Sequence, residues 1–154
     1  MRMRTISGKI RMMLALGGLA GVMLASGAAS AATVVALGAS NTFGKGVARN
    51  QAYPAQLQAL LRARGLSVNV VNAGINGDTT GGMLSRLNRV VPKGTSAVLL
   101  HPGGNDRRKG VIDQTAEIES QLAARGIRVI MVPNGMLRGK PHKRDEQHLT
   151  PGGN

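Results

Sequence analysis

Four short runs rich in β-branched and aliphatic residues, Thr33 to Leu37, Ser67 to Val71, Ala97 to Leu100 and Arg128 to Val132, recur along the chain with longer segments between them. Each run is continuous in apolar character rather than alternating, which is the pattern of a strand covered on both faces. The intervening segments carry helical spacing. Pro54 suits a first helical turn, and Leu57, Leu60 and Leu61 form an i, i+3, i+4 stripe that ends at Gly65. Met83, Leu84 and Leu87 mark a second, shorter helix; Ile112, Ala116, Ile118, Leu122 and Ala123 mark a third that stops before Gly126. The order β-α-β-α-β-α-β predicts an α/β domain, a parallel sheet with helices on both faces, because parallel strands need crossovers and right-handed crossovers put helices over the sheet.

The first thirty residues stand outside this pattern. Arg2, Arg4, Lys9 and Arg11 give a positive start, Met12 to Ala25 is almost wholly apolar, and Ala29-Ser30-Ala31 has the small-x-small form of a cleavage site. That order is the signature of a secretory signal peptide. The apolar stretch falls short of the roughly 20 residues that span a bilayer core. The expected division is therefore a signal peptide over 1–31 and a single domain over 32–154, periplasmic or secreted, with no stable membrane span after processing. The 154-residue chain has no cysteine, so such a domain rests on its core without disulfides, and thiol chemistry is excluded. Removing the leader leaves sixteen Lys and Arg against seven Asp and Glu, still strongly basic. A positive field of that size attracts anionic partners. Phe43 and Tyr53 are the only aromatics, however, which leaves little to stack on bases, and no nucleic-acid role is expected.

In an open parallel sheet, reacting groups gather on loops at the carboxyl ends of the strands. After the first strand comes Gly38-Ala39-Ser40-Asn41, after the second Asn72 to Thr79 (NAGINGDT), and after the third His101-Pro102-Gly103-Gly104-Asn105-Asp106; beyond the fourth lies Asp145-Glu146-Gln147-His148. A serine hydroxyl needs a base to take its proton, and the base needs a partner to fix its tautomer. Ser40, His148 and Asp145 can fill those roles. An oxyanion needs preorganised donors, for which the Ser40 and Gly77 N–H groups and the Asn105 side-chain amide are candidates.

These four blocks, GAS-N, NAGINGDT, GGND and Asp145-x-x-His148, resemble in content and order the conserved blocks of SGNH (GDSL-like) hydrolases, most nearly the small periplasmic thioesterase/lysophospholipase/arylesterase type. The resemblance runs from Thr33 to about Gly152. It implies a three-layer α/β/α, flavodoxin-like sheet, no metal or organic cofactor, and hydrolysis of a small acyl ester or thioester by a monomer through an acyl-enzyme. Ser40 is then the nucleophile, His148 the base, Asp145 its orienting acid, and Gly77 and Asn105 the oxyanion donors.

Three departures from the pattern carry expectations of their own. Ala39 stands where the group has Asp and Asn41 where it has Leu, so a loop-stabilising contact is missing. Only about forty residues separate Asn105 from Asp145, leaving no room for the usual fifth strand and its helix. The sequence ends six residues after His148, where relatives continue into a closing helix, so an apolar sheet face is expected to be exposed. A second reading is accordingly a truncated, non-catalytic exported binder of anionic glycans or lipids. Alone, Ser40 would be a helix cap or turn residue, and Asp145-x-x-His148 a solvated tail; their company argues otherwise. Asp78 and Asp106 read as helix caps, His101 as a loop residue beside the pocket, His142 as solvated, and Phe43, Met136 and Leu137 as candidates to line an acyl site.

Overall fold

The computed structural model describes residues 31–134. In chain order the elements are β1 (Ala32–Gly38), α1 (Ser40–Phe43), a 3-10 turn (Arg49–Gln51), α2 (Tyr53–Ala63), β2 (Val68–Gly74), α3 (Thr80–Ser85), α4 (Leu87–Val90), β3 (Thr95–His101), α5 (Asn105–Lys109), α6 (Thr115–Ala124) and β4 (Arg128–Met131). The four strands form one parallel sheet in the order β2-β1-β3-β4. The chain steps one way from β1 to β2 and the other way from β2 to β3 to β4. Right-handed crossovers therefore put α2 over one face and α3, α4 and α6 over the other. This is the α/β architecture that the sequence pattern predicts.

The core lies beneath α3, α4 and α6. Val35 and Leu37 of β1 and Val98 and Leu100 of β3 pack with Met83, Leu87, Val91, Ile118 and Leu122, all essentially inaccessible to water. Alternate residues of each strand point this way, so one face of the sheet and one stripe of each helix supply the burial. At about 25 cal/mol per Å² of apolar area removed from water, this cluster is the main stabilising term for a cysteine-free domain.

Several expectations are refined. Both-face coverage holds for the central strands but not at the flanks, where Val71, Ile130 and Met131 stay more than a third exposed. Leu60, expected on the buried stripe of α2, is instead 54% exposed. The helix marked by Met83 and Leu87 is split at Arg86, which has φ −106° and ψ 2° and belongs to neither half. Ile112 lies outside the third helix and is 79% exposed; the helix begins at Thr115, whose N–H donates to the Asp113 carboxylate at 2.8 Å. α1 and α5, four and five residues long, are too short to leave a periodic signal. Among the described residues, no helix is long and apolar enough to cross a membrane.

Strand register brings the functional loops level. Gly38, the last residue of β1, pairs with Gly74 on one side and His101 on the other, and these are the last residues of β2 and β3. The three loops that follow therefore leave the sheet side by side.

Candidate functional site

Ser40 sits where β1 turns into α1. The turn is tight because the strand ends leave no room for side chains: a Cβ on Gly38 would lie 2.1 Å from Thr42 Oγ1, and one on Gly74 would lie 2.2 Å from the Phe43 nitrogen. With hydrogens at both positions, α1 rests directly on the ends of β1 and β2. Ala39 precedes the helix, buried and with no side-chain cap bond, and backbone bonds close the turn: Phe43 N–H donates to the Ala39 carbonyl at 2.9 Å, and the Gly44 and Lys45 N–H groups donate to the Ser40 carbonyl at 3.0 and 2.9 Å. Ser40, the first helical residue, remains half-buried at the surface of this platform.

The second loop is anchored to the first. Ile75 N–H donates to the Gly38 carbonyl at 3.1 Å. Gly77 has φ +75° with open space around its Cβ position, so the residue is required by backbone conformation rather than by crowding. Its carbonyl accepts from Lys109 Nζ at 2.7 Å. Next along, the Asp78 carboxylate accepts from Thr79 N–H at 3.0 Å and pairs with Arg86, whose Nε and Nη2 lie 3.0 and 2.9 Å from Oδ2. Arg86 Nη2 also approaches the Gly38 carbonyl at 3.4 Å.

The third loop closes the arrangement. Asn105, 5% exposed, donates through Nδ2 to the Asp78 carbonyl at 2.5 Å, and its Oδ1 accepts from the Arg108 guanidinium. Asp106, equally buried, accepts from the Thr80 N–H at 3.0 Å and the Thr80 hydroxyl at 2.8 Å, and that hydroxyl accepts from Gln114 N–H at 2.6 Å. Asp78 and Asp106 are thus structural, as read, but neither is the simple cap expected. Thr79 is the N-cap of α3, its hydroxyl accepting from Gly82 N–H at 3.1 Å, and Asp106 reaches the same helix start from the first turn of α5.

His101 ends β3, 3% exposed. Its Nε2 lies 3.0 Å from Asn134 Oδ1, while Asn134 Nδ2 donates to the Gly103 carbonyl at 2.9 Å. That assignment of the amide makes Nε2 the protonated ring nitrogen. Burial lowers the imidazole pKa below its ordinary value, and the bond to Asn134 opposes that shift. His101 thereby ties the start of the Gly103-Gly104 turn to the end of β4. A cavity of about 330 Å³ opens next to it, lined by Gly103, Gly104, Arg107, Val111, Asp113 and Asn134 among others. Asn134 and Arg86 carry no motif of their own in the sequence. Their only trace is position, one just past a strand and one interrupting an apolar helical stripe.

Three of the expected site residues, Ser40, Gly77 and Asn105, are thus carried on adjacent loops at one edge of the sheet, and the loops are joined through the Gly38 and Asp78 carbonyls. Asp145 and His148, together with Met136, Leu137 and His142, lie outside the described residues, as do residues 1–30 of the expected leader. Phe43, the last residue of α1, is 48% exposed. Among the described residues, no group of three or more His, Cys, Asp or Glu side chains is gathered to hold a metal ion.

Comparison with known proteins extends this picture. Residues 36–150 match the model of the GDSL-like lipase/acylhydrolase family. Over 112 residues the chain is 34% identical to esterase TesA of Pseudomonas aeruginosa, covering 72% of this chain and 55% of that protein. The crystal structure of AlinE4, described as an SGNH-hydrolase family esterase, superposes with a TM-score of 0.57 at 30% identity, covering 66% of this chain and 58% of AlinE4. A crystal structure of TesA superposes with a TM-score of 0.55 at 32% identity, covering 64% and 58% of the two chains. The chain spans little more than half the length of these relatives.

Proposed function

Because this chain belongs to the GDSL-like lipase/acylhydrolase family, the SGNH hydrolases, we propose that it hydrolyses small acyl esters or thioesters through an acyl-enzyme, with Ser40 as nucleophile. The observation that carries the reading is the convergence of the Ser40, Gly77 and Asn105 loops on one sheet edge, locked together by hydrogen bonds to the Gly38 and Asp78 carbonyls.

The chemistry runs in two halves. Ser40 Oγ attacks the substrate carbonyl carbon as His148 takes the hydroxyl proton, and Asp145 holds the imidazole in the required tautomer. The carbonyl oxygen becomes an oxyanion, received by the Ser40 and Gly77 N–H groups and by Asn105. An amide nitrogen carries two hydrogens, so Asn105 can keep one on the Asp78 carbonyl and offer the other to the oxyanion. Collapse of the intermediate expels the alcohol or thiol, which takes the proton from His148. Water then repeats the sequence, with His148 as base, and releases the acid and Ser40. Loss of one oxyanion donor typically costs about 10²- to 10³-fold in rate, the scale expected for Asn105→Ala.

The same proposal includes export, on the strength of the leader-like first thirty residues, and action as a monomer on small substrates, with no part for nucleic acid. A fluorophosphonate probe is expected to label Ser40, and Ser40→Ala to abolish both label and turnover of p-nitrophenyl acetate. Activity is expected to fall on acidification, because an imidazolium at His148 cannot accept the serine proton. Undiminished turnover in Ser40→Ala would remove the assignment.

A further inference from the structure

We infer that Arg86 is a positioning residue of the hydrolytic site: its guanidinium holds the Gly38 carbonyl beneath the Ser40 turn to the Asp78 carboxylate beside Gly77, and so fixes the nucleophile relative to the oxyanion donors. The inference rests on the serine-hydrolase reading above and adds a residue that touches neither substrate nor reacting atoms.

The geometry has three parts. Nε and Nη2 take the same Asp78 oxygen, at 3.0 and 2.9 Å, which fixes the plane of the guanidinium. Nη2 also faces the Gly38 carbonyl at 3.4 Å, and Ile75 N–H approaches that carbonyl at 3.1 Å, so the base of the Ser40 turn and the base of the Gly77 turn share one acceptor. The Asp78 carbonyl, one bond network further on, takes the Asn105 amide. The guanidinium–carboxylate pair thus links the loops bearing Ser40 and Gly77, and Asn105 joins them through the Asp78 backbone carbonyl.

Burial argues that this pair serves more than stability. The side chains of Arg86 and Asp78 are 7% and 11% exposed. Taking both charges out of water costs several kcal/mol per ion, and an apolar pair of similar volume would serve a fold equally well or better. What an apolar pair cannot do is direct two carbonyl-bearing turns at once, and the rigid fork of an arginine can. Arg86 sits at a break in the backbone: α3 stops at Ser85 and α4 begins at Leu87, with Arg86 as the capping residue of both.

Positioning has a kinetic signature distinct from folding, since displacement of about 1 Å can cost 10²-fold in rate without loss of binding. The test uses Arg86→Lys, which keeps a cation beside Asp78 but loses the planar fork, and the pair Arg86→Met with Asp78→Asn, which leaves no unpaired buried charge. Turnover of p-nitrophenyl acetate is normalised to the number of sites titrated by fluorophosphonate, so that any unfolded fraction drops out. Both variants are expected to lose about 10- to 100-fold in kcat per titrated site, with KM within about twofold of wild type. A kcat per titrated site within about twofold of wild type in either variant would reduce Arg86 to a fold-stabilising role and overturn the inference. Wild-type protein that neither takes the probe at Ser40 nor loses turnover in Ser40→Ala would instead remove the hydrolase reading, and this inference with it.

Discussion

Thr80 and Asp106, 26 residues apart in the chain, share a buried carboxylate: the Thr80 N–H and hydroxyl both donate to Asp106 Oδ1, at 3.0 and 2.8 Å. The contact makes the start of α3 and the start of α5 a single rigid piece. The Thr80 hydroxyl accepts from Gln114 N–H as well, so it works as donor and acceptor at once and ties the approach to α6 into the same node.

Thr80→Val keeps the shape of the side chain and removes both bonds of the hydroxyl. A half-buried Gln114 N–H and one lone pair of the Asp106 carboxylate lose their partner, which is expected to destabilise the domain by about 1–3 kcal/mol. Urea unfolding is the measurement, with a lowered midpoint and an unchanged slope as the expected result. An unchanged midpoint would mean that water replaces the hydroxyl at no cost.

Two glycines on neighbouring loops predict opposite balances of stability against activity. In Gly74→Ala the new Cβ meets the Phe43 nitrogen at 2.2 Å and the Thr42 carbonyl carbon at 2.6 Å, backbone that cannot yield without moving α1. Overpacking of this kind costs about 1–3 kcal/mol, and because Ser40 opens α1, kcat is expected to fall with it. In Gly77→Ala nothing is struck, and the cost is the left-handed backbone alone, about 1–2 kcal/mol. If Gly77 supplies an oxyanion donor, relaxation of that strain turns its N–H away, and the loss in kcat exceeds what the loss in stability would suggest. Thermal unfolding and steady-state kinetics of the two variants, measured side by side, separate these cases.

Legibility in the sequence followed the length scale of the interactions. Strands and the longer helices were readable, since period and composition are local: α2 and α6 fall where Leu57, Leu61, Ile118 and Leu122 place them. The loops bearing Ser40, Gly77 and Asn105 were readable because parallel topology sends strand ends to one edge, and Gly38, Gly74 and His101 are level there. Arg86 was not readable. Its partners, Asp78 and the Gly38 carbonyl, come from two other segments of chain, and a lone arginine in a helical stripe looks like a solvated charge. The actual cap of α3, Thr79, was hidden by the more conspicuous Asp78 beside it. Ile112 misled for the opposite reason: it extends an apolar stripe by spacing alone, yet the Asp113 carboxylate turns the backbone at Thr115 and leaves the isoleucine in water.

His101 gives the domain a pH dependence with a definite sign. Buried and bonded to Asn134, the folded imidazole resists protonation, whereas in the unfolded chain it protonates near the ordinary value of 6.5. As pH falls through 6.5 the unfolded state therefore takes the proton first and stability drops, until the pH passes below the depressed folded value and the loss levels off. His101→Gln, which retains a donor toward Asn134 and has no titrating ring, is expected to lack this component. The difference between the two urea-unfolding profiles from pH 8 to pH 4 isolates it from the other histidines. A flat difference would show that His101 protonates equally well in both states.

The free edge of β2 predicts a behaviour in solution. Among the described residues β2 has β1 on one side only, so the outward N–H and C=O groups of its residues would offer a template for another strand. Gln58 of α2 occupies that position: its Nε2 donates to the Val68 carbonyl at 2.5 Å, and Val70 N–H donates to its Oε1 at 2.7 Å, the two bonds that a neighbouring strand would make. Removing the amide in Gln58→Ala costs about 1–3 kcal/mol from two bonds, each worth 0.5–1.5 kcal/mol net. It also uncovers an edge beside Val71, which is already 38% exposed, with no charge on β2 to oppose pairing. The variant is expected to self-associate with rising concentration in light scattering where wild type does not. Adding Val71→Lys to it is expected to suppress that association, because a cation on an edge strand repels its own copy, while leaving the stability loss in place. Association that persists in the double variant would place the contact elsewhere on the surface.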